Sequence, residues 1–444
     1  MLRFVVLSDI HFRAGVAGEV WDQDHDVRAR LVEDLQSIRV RLGEFSGVLV
    51  NGDIAFAGAE AEYDYARKWF DEVCDAAGCA RDQVWTVPGN HDVERSAVRN
   101  DPAIRALHRD LRDGPAHQID AVIAEYLRSG RRTLLFDHIE RYNDFAAAYG
   151  CNISPEQPVW QHSMGLDAVW TLRLVGLNST LCSDSDDTSL NDRGKLVLGT
   201  LQATAAQPKP ATVHLAMCHH PLRWLRDEAA VERVLCSRHT VHVFGHEHRQ
   251  DPHVNRGSLW LHCGAVHPVR EEAGWIPTYN IMELDVQGAA ESPVLAVRLY
   301  TRIWSDNHRF RAEWTDDGKE ARTELLPLPG ITPAEVRRPA DRFERSGVKR
   351  SLPVEPSPAP EHAPAMEPKR RLAYHFLTLP HHERVDISVR LGLVRDEDEG
   401  VRDRDLFGRF FQRASDEHRL AELWAEVEQR HPDGKPEPNP FTLE

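Results

Sequence analysis

Five short segments of the sequence carry Asp, Asn and His residues at spacings that suit metal binding. Alternate side chains of an extended segment lie on the same side, so Asp9 and His11 can bind one ion together. With the other segments, the candidate metal ligands are Asp9, His11, Asp53, Asn90, His219, His246 and His248. Two divalent ions about 3.5 to 4 Å apart can clamp the attacking and leaving oxygens of an in-line displacement. These residue types therefore point to metal-assisted hydrolysis.

The candidate ligands follow short apolar runs that predict buried strands. Runs rich in Val, Leu and Ile lie at residues 4–7, 48–50, 84–87, 172–177, 213–218 and 241–244. Amphipathic helices are predicted at residues 27–42 and 62–77, which gives a βαβαβ start with parallel strands. Further strands are predicted at residues 258–262, 279–286 and 295–304. Because open α/β sheets bind ligands at the carboxyl ends of their strands, this pattern brings the candidates into one region.

The rest of the chain predicts an insertion and a separate C-terminal unit. Asn90 and His219 are 129 residues apart, and helical spacing between them places a helical cap at about residues 97–165, with helices at 119–129 and 133–149. Residues 327–369 are rich in Pro and charge, which predicts a linker. Four helices are predicted after it. The expected domains are a catalytic unit at 1–326, the linker at 327–369, an all-α module at 370–432 and a tail at 433–444.

Read in order, the five segments are similar to the signature blocks of one enzyme family. They read Asp-x-His, Gly-Asp, Gly-Asn-His-Asp, His-His-Pro and Gly-His-x-His, and this series resembles the calcineurin-like metallophosphoesterases over about residues 1–305. The resemblance implies an α/β fold, a four-layer α/β/β/α sandwich, followed here by the small all-α domain. It implies that one ion is bound by Asp9, His11, Asp53 and His248. The other ion would be bound by the bridging Asp53 together with Asn90, His219 and His246.

The same resemblance assigns catalytic roles to the two residues after Asn90. His91 is expected to contact the phosphate oxygens and to be the candidate proton donor to the leaving oxygen, and Asp92 is expected to orient it. A hydroxide that bridges the two ions would attack phosphorus without a covalent enzyme intermediate. Mixed His, Asp and Asn ligation suits manganese, iron or zinc better than calcium, so the expected cofactors are two divalent ions of these kinds.

Other histidines are not assigned to the site. His214, His242, His262 and His267 lie in or beside predicted strands, where a hydrogen-bonded structural role is expected. His220 is expected to pack beside His219.

The second and third blocks narrow the substrate class. Protein Ser/Thr phosphatases of this superfamily carry an Arg after the second block, whereas residues 52–58 read Gly-Asp-Ile-Ala-Phe-Ala-Gly. The pattern is more similar to bacterial phosphodiesterases, which favours a small, nucleotide-type phosphodiester as substrate. The alternative is a nuclease acting on DNA or RNA. The formal charge of −16 repels polyanions, so nucleic acid is not the default substrate.

The C-terminal module favours an additional kind of function. Residues 372–376 and 406–411 resemble effector-associated adaptor domains of bacterial signalling and conflict proteins. Such a module would recruit a protein partner, and the alternative is a dimerisation or lid bundle.

Cysteine usage and hydropathy bear on location. The seven cysteines are an odd number without a CxxC pair, and the sequence predicts neither a signal peptide nor a membrane span. These features predict reduced thiols, a cytoplasmic location and no membrane association.

Overall fold

The computed structural model describes residues 1–17, 22, 24–184, 193–268, 275–331, 368–398, 403–430 and 438–442. The strands are β1 Leu2–Leu7, β2 Gly47–Val50, β3 Val84–Thr86, β4 Trp160–Gly165, β5 Thr171–Gly176, β6 Thr212–Met217, β7 Val241–Phe244, β8 Asp251–Asn255, β9 Ser258–His262, β10 Thr278–Gln287, β11 Val294–Ser305, β12 Arg309–Ala312 and β13 Arg322–Pro327. The helices are α1 His25–Leu42, α2 Glu60–Ala77, α3 Arg95–Asn100, α4 Pro102–Asp113, α5 Ile119–Arg128, α6 Glu140–Ala147, α7 Thr200–Ala203, α8 Glu228–Arg238, α9 Pro368–Thr378, α10 His381–Arg390, α11 Asp403–Asp416 and α12 Leu420–Glu428. None of these helices has the length and apolar composition that a membrane crossing requires, among the residues described.

Two mixed sheets form the centre of the molecule. One sheet has the order β12-β11-β10-β1-β2-β3, with β13 also paired to β11, and the other has the order β4-β5-β6-β7-β9-β8. In the first sheet Val5 lies opposite Val48 of a parallel neighbour and opposite Ile281 of an antiparallel one. All strands predicted from the sequence are present, as is the βαβαβ start. The four-layer sandwich is confirmed.

The helical insertion ends earlier than predicted. Helices α3 to α6 span residues 95–147, but residues 160–165, which we expected in the cap, form strand β4 at the edge of the second sheet. Side chains of β4 alternate between more and less buried positions, as in a strand with one buried face. In the sequence, six residues are too few to distinguish this two-residue period from helical spacing.

The helix predicted at residues 133–149 is also interrupted. Two short 3-10 turns, Arg132–Leu135 and Asp137–Ile139, precede α6. The backbone of Phe136 between them has φ −133°, outside the helical range, so the chain cannot continue as one helix there. The apolar spacing is therefore divided among the two turns and α6.

The four predicted helices of the C-terminal module are present and pack around their own core. Phe376, Phe407 and Trp424 are among its buried side chains, and Phe441 of the predicted tail packs against Trp424 with ring centroids 5.9 Å apart. Most of the predicted linker, residues 332–367, lies outside the described residues.

Helix α9 contacts the larger unit. The Tyr374 hydroxyl donates to Asp71 Oδ1 at 2.7 Å, and its ring lies 5.6 Å from that of Tyr149. The Arg370 guanidinium lies 4.7 Å from the centroid of the Trp85 ring and donates to a backbone carbonyl of β3. These contacts between α9 and the larger unit involve a few side chains, but they bury Tyr374, which is only 3% exposed.

Buried histidines make the fold sensitive to acid. Burial lowers the pKa of His242, which stacks on Trp260 with centroids 4.4 Å apart, to about 3, whereas an unfolded chain has a histidine pKa near 6.5. Below pH 6.5 the unfolded chain therefore binds more protons than the fold does, and the free energy of unfolding falls as pH falls. For His242 the loss at pH 5 is about 2 kcal/mol.

We expect His242→Phe to retain the stack and to remove this loss. Between pH 7.5 and pH 5, urea unfolding should show a stability decrease about 2 kcal/mol smaller in His242→Phe than in the wild type. His117→Ala, at an exposed position of the insertion, is the control and should follow the wild type. Parallel pH dependence of wild type and His242→Phe would disprove the assignment.

Candidate metal centre

The structure brings all seven predicted metal ligands together at the carboxyl ends of strands. Asp9 and His11 follow β1, Asp53 follows β2, and Asn90 begins a 3-10 turn after β3. From the second sheet, His219 follows β6, whereas His246 and His248 follow β7. The ends of parallel strands thus bring these side chains together, as the sequence pattern predicts.

One group of side chains gathers around Asp9. His248 Nε2 lies 3.4 Å from Asp9 Oδ1, and the ligand atoms of Asp9, His11 and His248 lie within 4.8 Å of one another. His11 Nε2 is also 3.3 Å from Asp53 Oδ2. This group matches the first ion position that the family resemblance implies.

A second group gathers around Asn90. Its Oδ1 atom lies 3.3 Å from His219 Nε2 and 3.0 Å from His246 Nδ1. His219 Nε2 is in turn 3.3 Å from Asp53 Oδ2, the atom that also faces His11. Asp53 therefore stands between the two groups, where a bridging ligand must lie.

Backbone strain is concentrated at the same residues. Nine described residues other than Gly have a positive φ, and five of them are Asp9, His11, Asp53, His246 and His248, with φ between 52° and 72°. Such a conformation is uncommon for residues other than Gly and persists where the surroundings impose it. Its clustering at proposed ligands supports a functional site.

Two glycines permit the close approach of the loops. Gly52 has φ +87°, and a Cβ atom there would lie 2.4 Å from the ring of His219. A Cβ atom at Gly89 would lie 2.2 Å from Asp53 Oδ1. Any side chain at either position would displace a proposed ligand.

Backbone carbonyls orient two of the histidines. His219 Nδ1–H can donate to the Asn51 carbonyl at 2.8 Å, and His11 Nδ1–H to the His267 carbonyl at 3.3 Å. These bonds leave the Nε2 lone pair of each ring directed at the cluster. Metal-ligating histidines are usually oriented in this way, so the donor set fits divalent ions.

The charges of the buried carboxylates also favour cations. Burial raises the pKa of Asp9, but the hydrogen bond and charge of His248 outweigh it and lower that pKa to about 2. Burial opposes protonation of His219, yet the charge of Asp53 raises the pKa of His219 to about 9. Two ionised carboxylates thus attract positive charge, which divalent ions supply when they displace the histidine proton.

His91 lies beside the first group, and its ring is oriented by a backbone carbonyl outside that group. Its backbone N–H donates to Asp53 Oδ1 at 2.8 Å, and its Nδ1–H can donate to the Phe56 carbonyl at 2.7 Å. The remaining nitrogen, Nε2, is then available to a substrate oxygen. The ligand atoms of His11, Asp53 and His91 also lie within 4.8 Å, so a metal role for His91 requires a direct test.

Asp92 differs from its predicted role of orienting His91. Its carboxylate accepts from the backbone N–H groups of Ala55 at 3.0 Å and Gly89 at 2.9 Å, and from the Tyr63 hydroxyl at 3.0 Å. The His91 ring is instead oriented by Phe56. Asp92 therefore holds together the two loops that carry Asp53 and Asn90, and acts on the ligands rather than on His91.

Comparison with known proteins identifies the larger unit. The family model described as calcineurin-like phosphoesterase matches residues 2–250, a range that includes all seven candidate ligands. The chain belongs to the calcineurin-like phosphoesterase family. Residues 368–429 match the model of the GTPase-associated adaptor domain, which confirms the adaptor resemblance of the C-terminal module.

Individual relatives of this calcineurin-like phosphoesterase are distant. The uncharacterized metallophosphoesterase-like protein YydB of Bacillus subtilis (strain 168) is 24% identical over 227 residues, 50% of this chain and 43% of the relative. The match thus spans less than half of that relative. Vps29 of Chaetomium thermophilum is 11% identical, with 74% of this chain and 100% of that chain covered and a TM-score of 0.30. GAP50 of Plasmodium is 12% identical, with 74% of this chain and 89% of that chain covered and a TM-score of 0.37. Nothing about substrate follows from likenesses of this size.

His220 of this phosphoesterase also lies at the centre, where the sequence predicted only packing beside His219. His220 Nε2 lies 3.2 Å from Asn90 Oδ1, and His220 Nδ1 lies 2.8 Å from Ser179 Oγ. The Ser179 oxygen also accepts from the His220 backbone N–H, so the hydroxyl can donate to Nδ1 and Nε2–H to Asn90. The only signal in the sequence is the position of His220 directly after a predicted ligand.

We expect His220→Ala to weaken binding of the second ion about 10- to 100-fold, because Asn90 loses the group that fixes its amide oxygen. Titration of metal-free protein with Mn²⁺ should show one site with wild-type affinity and one weakened site. Ser179→Ala should change the same site by a smaller factor. Two sites with wild-type affinities in His220→Ala would restore the packing role expected from the sequence.

Proposed function

We propose that this protein hydrolyses a small phosphodiester with two divalent ions, manganese, iron or zinc, bound by the seven clustered residues. The observation that carries the proposal is the position of Asp53, whose Oδ2 atom lies 3.3 Å from both His11 Nε2 and His219 Nε2. One carboxylate facing two ligand groups is the arrangement that a dinuclear site requires. Family membership supports the same class of reaction.

In this proposal the residues of the chain bind the ions, orient the groups that contact the substrate and stabilise the loops that carry the ligands. When bound, the ions supply an activated water and neutralise charge on the phosphoryl oxygens. His91 presents Nε2 to a phosphoryl or leaving oxygen, and the Phe56 carbonyl fixes the direction of its ring. Asp92 holds the loops of Asp53 and Asn90 together by accepting a backbone N–H from each. The ligands are 15% exposed or less, which limits water around the reacting groups.

Substrate preference tests the proposal. We expect the metal-loaded protein to hydrolyse bis-p-nitrophenyl phosphate faster than p-nitrophenyl phosphate, and long DNA poorly, because the net charge of −16 opposes the approach of polyanions. Efficient degradation of long DNA at physiological salt would instead support the nuclease alternative. Failure to hydrolyse any of these esters with Mn²⁺, Fe²⁺ or Zn²⁺ would overturn the proposal.

We also propose that residues 370–432 bind a protein partner and that residues 1–326 form the catalytic unit. The adaptor-domain match and the separate core of the module support this division. The proposed ligands all lie before residue 250, and the module contacts α2 and β3 through Tyr374 and Arg370, on side chains outside the metal cluster.

Removal of the module should leave the chemistry intact at some cost in stability. A chain ended near residue 357 should hydrolyse a small diester with a kcat/KM within about threefold of the full chain, since no metal ligand is lost. Its Tm should be lower, because Trp85 and Tyr149 lose the contacts with Arg370 and Tyr374. An inactive or insoluble truncated chain would make the module part of the catalytic unit and weaken the adaptor proposal.

We propose that the protein is located in the cytoplasm, because unpaired cysteines are consistent with a reducing compartment. All seven are free thiols, and five are buried.

A further inference from the structure

Two arginines share one carboxylate beside the second ligand group. Arg223 and Arg193 both pair with Glu247, the residue between His246 and His248, and the Arg193 contact is long at 3.5 Å. Glu247 also accepts from the Trp224 indole N–H at 2.8 Å. The Trp224 ring meets the His246 ring edge-on, with centroids 4.2 Å apart. The arginine pair is therefore connected to a proposed metal ligand through a single aromatic ring.

The pair carries two positive charges and shares the single negative charge of Glu247. Burial, followed by the charge of Arg193, lowers the pKa of Arg223; the charges of Asp251 and Glu228 oppose this shift, and that of Arg249 adds to it. Arg193 also lies over the Trp224 ring, 5.6 Å from its centroid. Cations held close together at an exposed position attract an anionic group.

A purely structural role explains the arrangement poorly. The Arg193 and Arg223 side chains are each 45% exposed, whereas Glu247 is 10% exposed. Ion pairs at such exposed positions contribute little to stability, and Glu247 already has the Trp224 indole as a partner. The exposed guanidinium faces remain available to bind a ligand.

We propose that Arg193 and Arg223 form a subsite for a second phosphate group on the substrate, next to the ion position bound by His246. The inference rests on the proposed phosphodiesterase function and specifies its substrate class: a phosphodiester that carries an additional phosphate monoester. A planar guanidinium binds two phosphate oxygens at once, which suits a terminal phosphate with three free oxygens. Bound metal ions would add to the attraction, whereas the rest of this acidic chain repels long polyanions.

A matched pair of substrates tests the subsite. The 5′-(p-nitrophenyl) ester of thymidine 5′-phosphate and the same ester of thymidine 3′,5′-bisphosphate have one leaving group and differ by one phosphate. We expect the wild type to favour the bisphosphate ester at least tenfold in kcat/KM, the range for losing one or two charge-assisted hydrogen bonds. In the double variant Arg193→Gln/Arg223→Gln the preference should fall below about threefold.

Arg30→Gln is the control, since Arg30 is an exposed arginine paired with Glu33 on α1 and its loss removes a positive charge outside the proposed subsite. It should retain the wild-type preference. Equal kcat/KM for the two esters in the wild type, or an unchanged preference in the double variant, would overturn the subsite while leaving the phosphodiesterase proposal standing.

Direct binding separates the subsite from the chemistry. Calorimetric titration of the metal-free protein with thymidine 3′,5′-bisphosphate should give a Kd at least tenfold weaker in the double variant than in Arg30→Gln. If neither ester is hydrolysed, the proposed function fails and this titration alone decides the subsite. Equal Kd values in the two variants would overturn it.

Discussion

Replacing Asp53 with Ala should abolish diester hydrolysis and remove most of the bound metal. Asp53 Oδ2 faces both ligand groups, so its loss weakens both ion positions at once. Loss of a single electrostatic group already costs about 10² to 10³ in rate, and we expect a decrease of about 10⁴ or more when two ions are affected.

Two controls sharpen the Asp53 experiment. Asp75→Ala removes an exposed carboxylate and should retain activity and metal content. Asp53→Asn preserves the shape of the side chain, and it should also lose metal if charge rather than packing holds the ions. Full metal content in Asp53→Ala, measured by elemental analysis, would contradict the bridging assignment.

Replacing His91 with Ala should slow turnover about 10²- to 10⁴-fold and leave both ions bound. This range is typical of the loss of a positioned proton donor or charge stabiliser. Burial lowers the pKa of His91, so the ring is neutral in the free protein. Its Nδ1–H is directed at the Phe56 carbonyl, and Nε2 carries the lone pair. A bound phosphate dianion or monoanion favours the protonated ring, whose Nε2–H can donate to an oxygen of the substrate.

Metal content distinguishes the possible roles of His91. Retention of two equivalents together with slow turnover supports a role toward substrate. Metal loss equal to that of Asp53→Ala would make His91 a ligand, as the group with His11 and Asp53 permits. Turnover close to that of the wild type would exclude both roles.

The clustering of the seven candidate ligands could be predicted because its information is local in the sequence. Each candidate lies two to four residues after the end of a strand of three to six residues, and the edge at which parallel strands end is fixed by the βαβ pattern. Asp9 and His11 lie together as predicted, but not as alternate side chains of an extended segment, because both have a positive φ and lie beyond the end of β1.

Interactions between segments distant in the sequence could not be predicted in the same way. Asp92 contacts Ala55 and Tyr63, and which loop meets which depends on the packing of α2 against the sheet. The contact of His220 with Ser179 joins residues 41 positions apart. The edge strand β4 shows only a weak period over six residues, so its pairing with β5 becomes evident only in the assembled sheet.

Anomalous diffraction from crystals of the Mn²⁺-reconstituted protein tests the dinuclear centre most directly. The account predicts two anomalous peaks about 3.5 to 4 Å apart. One peak should contact Asp9, His11, Asp53 and His248, and the other Asp53, Asn90, His219 and His246. A single peak, or two peaks without a shared Asp53 ligand, would contradict the proposed centre.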